Sequence, residues 1–300
     1  MGTWPRLGAT VVVLSVGIVV AVVLTRPPSD SGDQAPASTH GAASASESST
    51  RPGYVAPSED TTGVPAGVRL TNSQGFTVTE DGAVIDGLSV HGEIKVEADG
   101  VTIRNTLVQS DTKLSPIMIT SNAQDVLIEH VEVDSLRGTG IGVNFRAGSS
   151  GRVRYADIHS GQDGVRISSS NVTIEHSYIH DLFRSPDGHH DSIQIRAGDS
   201  IIVRGNNLQA FNALTGDPMN AAIQIGSLAT TDRITDLLVE DNLMNGGNFT
   251  INGGKDAVES ALYRRNRFGR DFRYGVRGNL TSTSVWEPNN VWNDDGTEVR

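Results

Sequence analysis

The sequence predicts an all-β chain, a right-handed parallel β-helix of about eight or nine coils, on three observations. An eight-residue pattern recurs from Ala83 to Phe268. A second, shorter alternating strand follows it in most units, and Gly, Asn, Asp and Ser separate the strands where hairpin turns would otherwise be needed. A β-sandwich is the alternative, but its strands would not line up in two columns.

The N-terminal elements stand apart from that pattern. Leu7 to Thr25 is 19 residues without a charge, flanked by Arg6 and Arg26. At about 1.5 Å per residue it is long enough to cross a hydrocarbon core of about 30 Å as a helix. A cleaved signal usually has a small-x-small site just behind its apolar core, and Ala35-Pro36-Ala37 stands well downstream. Residues 1–26 are therefore expected to be a signal anchor, with a cleaved signal peptide the alternative. Either one places the chain at the extracellular face of the membrane or in the medium. Residues 27–63, rich in Ser, Thr, Ala and Pro, read as a disordered tether. With no cysteine, the domain of residues 64–300 has no disulfides and relies on its own core.

Residues 67–300 carry 21 basic and 30 acidic side chains, a net of −9. That balance excludes nucleic acid as a partner, since phosphates need clustered basic groups. It leaves room for a polysaccharide or cell-wall glycan bound by a local basic patch. The chain is expected to act as a monomer.

The eight-residue units begin at Ala83, Val101, Val126, Gly151, Val172, Ile201, Leu237 and Ala261, each an alternating strand with a turn in its middle. The second strands are Ile117-Met-Ile, Val143-Asn-Phe, Val165-Arg-Ile, Ile193-Gln-Ile, Ile223-Gln-Ile and Phe249-Thr-Ile. Period-two alternation sends one set of side chains inward. Coils stack such strands in parallel at about 4.8 Å. Asn206, Asn242 and Asn266 share the sixth place of their units, predicting an asparagine ladder at one bend; His130 and His176 share the fifth. Insertions near Leu182–His190, Leu214–Asn220 and Ser227–Asp236 are expected as loops on one face, where solenoids bind ligands.

Gly82-Ala-Val-Ile-Asp-Gly-Leu, Val101-Thr-Ile-Arg-Asn, Tyr178-Ile-His-Asp-Leu, His189-His-Asp-Ser-Ile-Gln, Asn242-Leu-Met-Asn-Gly-Gly and Asn290-Val-Trp-Asn-Asp-Asp-Gly carry a resemblance. Across residues 64–300 the chain resembles exported bacterial right-handed β-helix proteins of the pectate-lyase-like superfamily. The resemblance implies the fold and a carbohydrate partner more than a reaction, because that superfamily holds lyases, hydrolases, epimerases and non-enzymatic adhesins. Relatives with this phrasing usually read His-x-Asp-Gly-Ile-Gln, whereas Ser192 stands here at the Gly position.

The richest cluster of titratable groups is Asp187-Gly188-His189-His190-Asp191, leading into Ile193-Gln194-Ile195. With the second strands in register, Asp163 lies below Asp191, and Arg166, Gln194 and Gln224 form an outward row, Asn144 below it and Thr250 above. Stacked carboxylates need a cation between them or a retained proton. Two mechanisms follow. Asp163, Asp187 and Asp191 would hold Ca²⁺, with His189 or Lys255 as the base of a β-elimination; or Asp163 and Asp191 would act as acid and base on a glycosidic bond. Arg166, Gln194, Gln224, His190 and Arg196 are the expected substrate contacts. A uronate lyase is the first expectation, a glycoside hydrolase the second, and a non-catalytic carbohydrate-binding scaffold the third. A catalytic site requires His189 and Asp191 to converge in one groove; a scaffold would splay them into solvent.

Overall fold

The computed structural model describes residues 55–185, 188–226 and 233–300. The apolar stretch 7–25, most of the expected tether and Asp187 lie outside the described residues. Among the described residues no helix is long and apolar enough to cross a membrane.

Among the described residues, twenty-three short strands stack in parallel, coil upon coil. They make three ladders, one more than the two columns expected, because the turn at the fifth place of each unit divides its strand over two faces. Gly87, Asn105, His130, Tyr155, His176, Gly205, Asp241 and Arg265 all take positive φ there. Such a bend costs Gly or Asn little but burdens a ring-bearing residue. His130, Tyr155 and His176 offset it by stacking, their rings 4.9 and 5.5 Å apart in succession. The next place turns inward. Asn206, Asn242, Asn266 and a fourth asparagine, Asn290, are fully buried. Each Nδ2 donates to a carbonyl, and Asn206, Asn242 and Asn266 also donate to the Oδ1 of the next asparagine up, at 3.0, 3.0 and 2.9 Å.

The first ladder has nine rungs, starting at 84, 102, 126, 151, 172, 201, 237, 261 and 284. Its outward column reads Asp86, Arg104, Glu129, Arg154, Glu175, Arg204, Glu240, Arg264, alternating in sign at every coil. Ion pairs of 2.7–2.8 Å close it in twos: Arg104–Asp86, Arg154–Glu129, Arg204–Glu175 and Arg264–Glu240. A slip of one coil would set like charges together, so the column favours a single register.

The third ladder positions the site. Its inward column, Ile94, Ile117, Val143, Val165, Ile193, Ile223 and Ile251, is solvent-free and forms one continuous core. Each such side chain contributes about 1.5–3 kcal/mol on burial. Asn252, not Thr250, continues the outward row above Gln224; Thr250 is buried, its hydroxyl donating to the Gly246 carbonyl. The shift arises because Asn248 takes the place above Asn220, its N–H on the Asn220 carbonyl, which moves the pattern by two residues.

The tether also ends earlier than Gly63. From Pro57 onward the chain lies against the second ladder, which includes the strands Asp157–His159, Tyr178–His180 and Asn207–Ala210: the Pro57 carbonyl accepts from Asn207 Nδ2 at 2.8 Å, and the Gly63 N–H donates to the Tyr155 carbonyl. Gly63 has φ +70°, and a Cβ there would stand 3.1 Å from that of Asp157. Hydrogen bonds and close approach hold this polar segment, which apolar burial could not.

Candidate functional site

The strands Ile141–Phe145, Asp163–Ser168, Asp191–Arg204, Ala221–Ile225 and Phe249–Asn252 lie side by side in the third ladder. Their register sets Arg166 between Asn144 and Gln194, and Gln224 between Gln194 and Asn252. At the head of two neighbouring strands stand Asp163 and Asp191, both fully buried. The Asp191 backbone N–H donates to Asp163 Oδ1 at 3.1 Å, while Asp163 Oδ2 receives Arg166 Nη2 at 2.7 Å.

Asp191 is differently placed. Its Oδ1 accepts from Asn220 Nδ2 at 2.6 Å, and its Oδ2 is buried without a partner. Burial and then the Asp163 charge push its carboxyl well above the usual range, against the pull of Asn220 and Arg166. The same burial and neighbouring charge favour the protonated form of Asp191.

Among the described residues, eight buried side-chain polar atoms have no hydrogen-bond partner, and five of them cluster on this face. Asn144 Oδ1, Arg166 Nε and Gln194 Oε1 sit on successive rungs of the row; Asp191 Oδ2 and Asn248 Oδ1 lie at the strand heads beside it, while Ser192 Oγ, also unpartnered, points towards the core. Buried polar atoms are nearly always paired, so this concentration makes the face the candidate site. Ser192 is informative in itself. The equivalent position one coil below is Gly164, where a Cβ would come within 2.3 Å of Ile179 Cγ2.

Asn220 is the contact that sequence reasoning missed. Its Nδ2 also reaches Gln224 Oε1 at 3.2 Å, Asn252 Nδ2 donates to that same oxygen at 2.9 Å, and Asn279 Nδ2 donates to Asn252 Oδ1 at 2.7 Å. A chain of amides thus runs from Asp191 along the row. Its signal in the sequence was an Asn directly ahead of two successive strands, Asn220 and Asn248.

The expected residues divide. Asp163, Asp191, Arg166, Gln194, Gln224 and His190 come together, with Arg196 half-buried two residues beyond Gln194. His190 is buried and serves the loop: its Nε2 accepts from the Ser185 N–H at 2.8 Å, and burial with the nearby Arg184 charge lowers its pKa. His189 is exposed, and its side chain makes no hydrogen bond or ion pair among the described residues. Hence His189 and Asp191 neither converge nor splay outward together. Lys255 is exposed in the short turn Lys255–Ala257, three residues past Asn252 and at the opposite end of the strands from Asp191. The 182–190 and 214–220 insertions do meet, through the ion pair of Arg184 with Asp217, which draws the Asp217 pKa down.

Of the three expected calcium ligands, Asp187 lies outside the described residues. Both Asp163 oxygens are engaged, one by the Asp191 N–H and one by the Arg166 guanidinium, while Asp191 Oδ2 is unengaged.

Across the corner, in the second ladder, lies His180. Burial lowers its pKa, but hydrogen bonds to Asp157 and Asp181 outweigh this and raise it to about 9.

A family model described as a right handed beta helix region matches residues 66–243. The chain belongs to the right-handed β-helix family. Two solved members of this architecture are similar to it. The crystal structure of pectate lyase Pel9A aligns with TM-score 0.44 at 12% identity, over 82% of this chain and 70% of that one. The catalytic domain of a GH87 α-1,3-glucanase in complex with nigerose aligns with TM-score 0.35 at 10% identity, over 75% of this chain and 61% of that one. Likeness at this level says nothing of reaction or substrate. No curated protein matches the chain.

Proposed function

We propose that this β-helix protein binds an extended polysaccharide along the third ladder and cleaves it by acid–base chemistry at Asp191 and Asp163. The observation that carries the reading is Asp191 Oδ2, the unpartnered atom of a buried carboxyl whose pKa is raised by burial and the Asp163 charge, beside a row of amides. A linear row of amide and guanidinium groups, repeated at the strand spacing, suits a linear ligand whose hydroxyls both donate and accept. An undissociated acid beside a second carboxylate is the complement that glycosidic cleavage requires: Asp191 gives its proton to the leaving oxygen as the C–O bond breaks, and a water that gives its proton to the Asp163 carboxylate bonds to the anomeric carbon. The apolar stretch 7–25 supports a site of action at the extracellular face of the membrane or in the medium.

A second reading, β-elimination on a uronate, is favoured by Arg166 and Arg196 on the same outward side, since two guanidiniums would receive sugar carboxylates. The test is to incubate the full chain with acidic and neutral polysaccharides, following reducing ends and ultraviolet absorbance in parallel, with calcium or EDTA. Reducing ends without absorbance support hydrolysis. Absorbance from unsaturated uronates moves the assignment to elimination. Binding without either product would leave a carbohydrate-binding scaffold.

A further inference from the structure

The second ladder carries an acidic face that the carbohydrate reading does not use. Its outward columns place Glu132, Asp157 and Tyr178 in one line and Asp134, His159 and His180 in the next. Asp181 follows His180, and the N-terminal segment brings Glu59 across. Five carboxylates thus surround two imidazoles whose rings are 5.3 Å apart. On the first ladder every acidic rung is answered by an arginine. Here the ion pairs are with the two histidines: His159 with Glu132 and Asp134, His180 with Asp157 and Asp181.

Within this face one set of donor atoms has the arrangement of a metal centre. An oxygen of Glu59, a nitrogen of His180 and an oxygen of Asp181 lie within 4.8 Å of one another. The two nitrogens of His180 have different company. Nε2 donates to Asp157 Oδ1 at 2.8 Å, on the rung below, and Nδ1 lies 2.8 Å from Asp181 Oδ2, at the surface. A carboxylate behind the distal nitrogen is the device that orients a metal-binding imidazole and fixes which nitrogen is free. The ring is held further by Tyr178, stacked at 4.0 Å, and the residue is 5% exposed while Glu59 and Asp181 are open to solvent. The site is therefore rigid at its nitrogen and accessible at its oxygens.

We propose that Glu59, His180 and Asp181 bind a divalent transition-metal ion, Zn²⁺ by the chemistry of one imidazole and two carboxylates, with Asp157 as the positioning residue. Zinc takes such nitrogen and oxygen ligands at about 2.0–2.2 Å and keeps remaining positions for water. Binding exchanges ions in balance: the metal takes the Nδ1 lone pair and releases the proton shared with Asp181. Glu59 comes from the segment ahead of the first coil and His180 from a strand 121 positions later in the chain. The ion thus staples that segment to the coil stack.

Equilibrium dialysis of the untagged full chain, stripped with EDTA and then exposed to Zn²⁺, tests the site. We expect one Zn²⁺ per chain, affinity at least ten-fold weaker in Glu59→Gln, and binding lost in His180→Gln. Zn²⁺ should also raise Tm in the native chain and not in Glu59→Gln. Should His180→Gln fail to fold, Glu59→Gln decides alone, because its side chain is exposed. No retained Zn²⁺, or equal affinity in Glu59→Gln, overturns the proposal.

Discussion

The backbone N–H of Asp191 donates to the carboxylate of Asp163 one coil below, at 3.1 Å. This bond fixes the two acids as neighbours while keeping their side chains in unlike settings. One is paired with Arg166; the other has a free, buried oxygen. The difference predicts that the two positions respond differently to the same substitution.

Asp191→Asn replaces a protonated carboxyl by its neutral isostere. At pH 4 stability should stay within about 1 kcal/mol of native, while cleavage falls at least about 100-fold, the scale of a lost general acid. Asp163→Asn strips Arg166 of its partner in a mostly buried ion pair and should cost about 3 kcal/mol. Urea denaturation and product assays on the two variants check both; equal losses of stability would refute the asymmetry.

The pH dependence follows from the same acid. Its pKa is raised in the folded state, so the folded chain holds that proton more tightly than the unfolded chain. The contribution is full below the unfolded value of 3.8 and is lost as pH climbs through the folded value. A plot of stability against pH should therefore decline above about 4 in the native chain, more steeply than in Asp191→Asn. Parallel curves would show that Asp191 titrates normally.

Much of the fold was legible because a solenoid writes its geometry into the period of the sequence. The register of Asp163, Asp191 and Ala221 could be read from alternation alone, and the Asn206–Asn242–Asn266 ladder from a shared sixth place. What escaped detection depends on three dimensions. Asn220 reaches Asp191 through a loop whose path alternation does not encode. Glu59 crosses to His180 from a segment whose composition reads as disorder. The alternating column from Asp86 to Arg264 is a different case: its signs were visible at the fourth place, but they acquire meaning only once that place faces outward and stacks.

That column yields a third prediction. Glu175 is 5% exposed and contacts Arg204 at 2.7 Å and Arg152 at 3.3 Å. Glu175→Arg would insert a guanidinium between those of Arg154 and Arg204, costing about 3 kcal/mol or more. Added salt should recover part of the loss in thermal unfolding, by screening the repulsion. A loss insensitive to salt would mean packing, not charge, is at fault.

Asn266→Ala tests the buried bend. It leaves the Val239 carbonyl and both Asn242 donors without their Asn266 partner. With each unpaired buried group costing about 1–3 kcal/mol, the variant should lose at least about 3 kcal/mol. Asn266→Asp, which keeps the accepting oxygen, should also be destabilised, because it cannot donate to Val239. Tm values near native in both would contradict the ladder's role.

The central claim is that Asp191 holds its proton well above the usual carboxyl range and presents it on this face. Titration of the Asp191 carboxyl by carbon-13 NMR, assigned through Asp191→Asn, measures this directly. The account predicts a signal that stays in the protonated position well above the usual carboxyl range, and shifts when a cleavable oligosaccharide is added. A carboxyl that ionises near pH 4, unmoved by any saccharide, would contradict it.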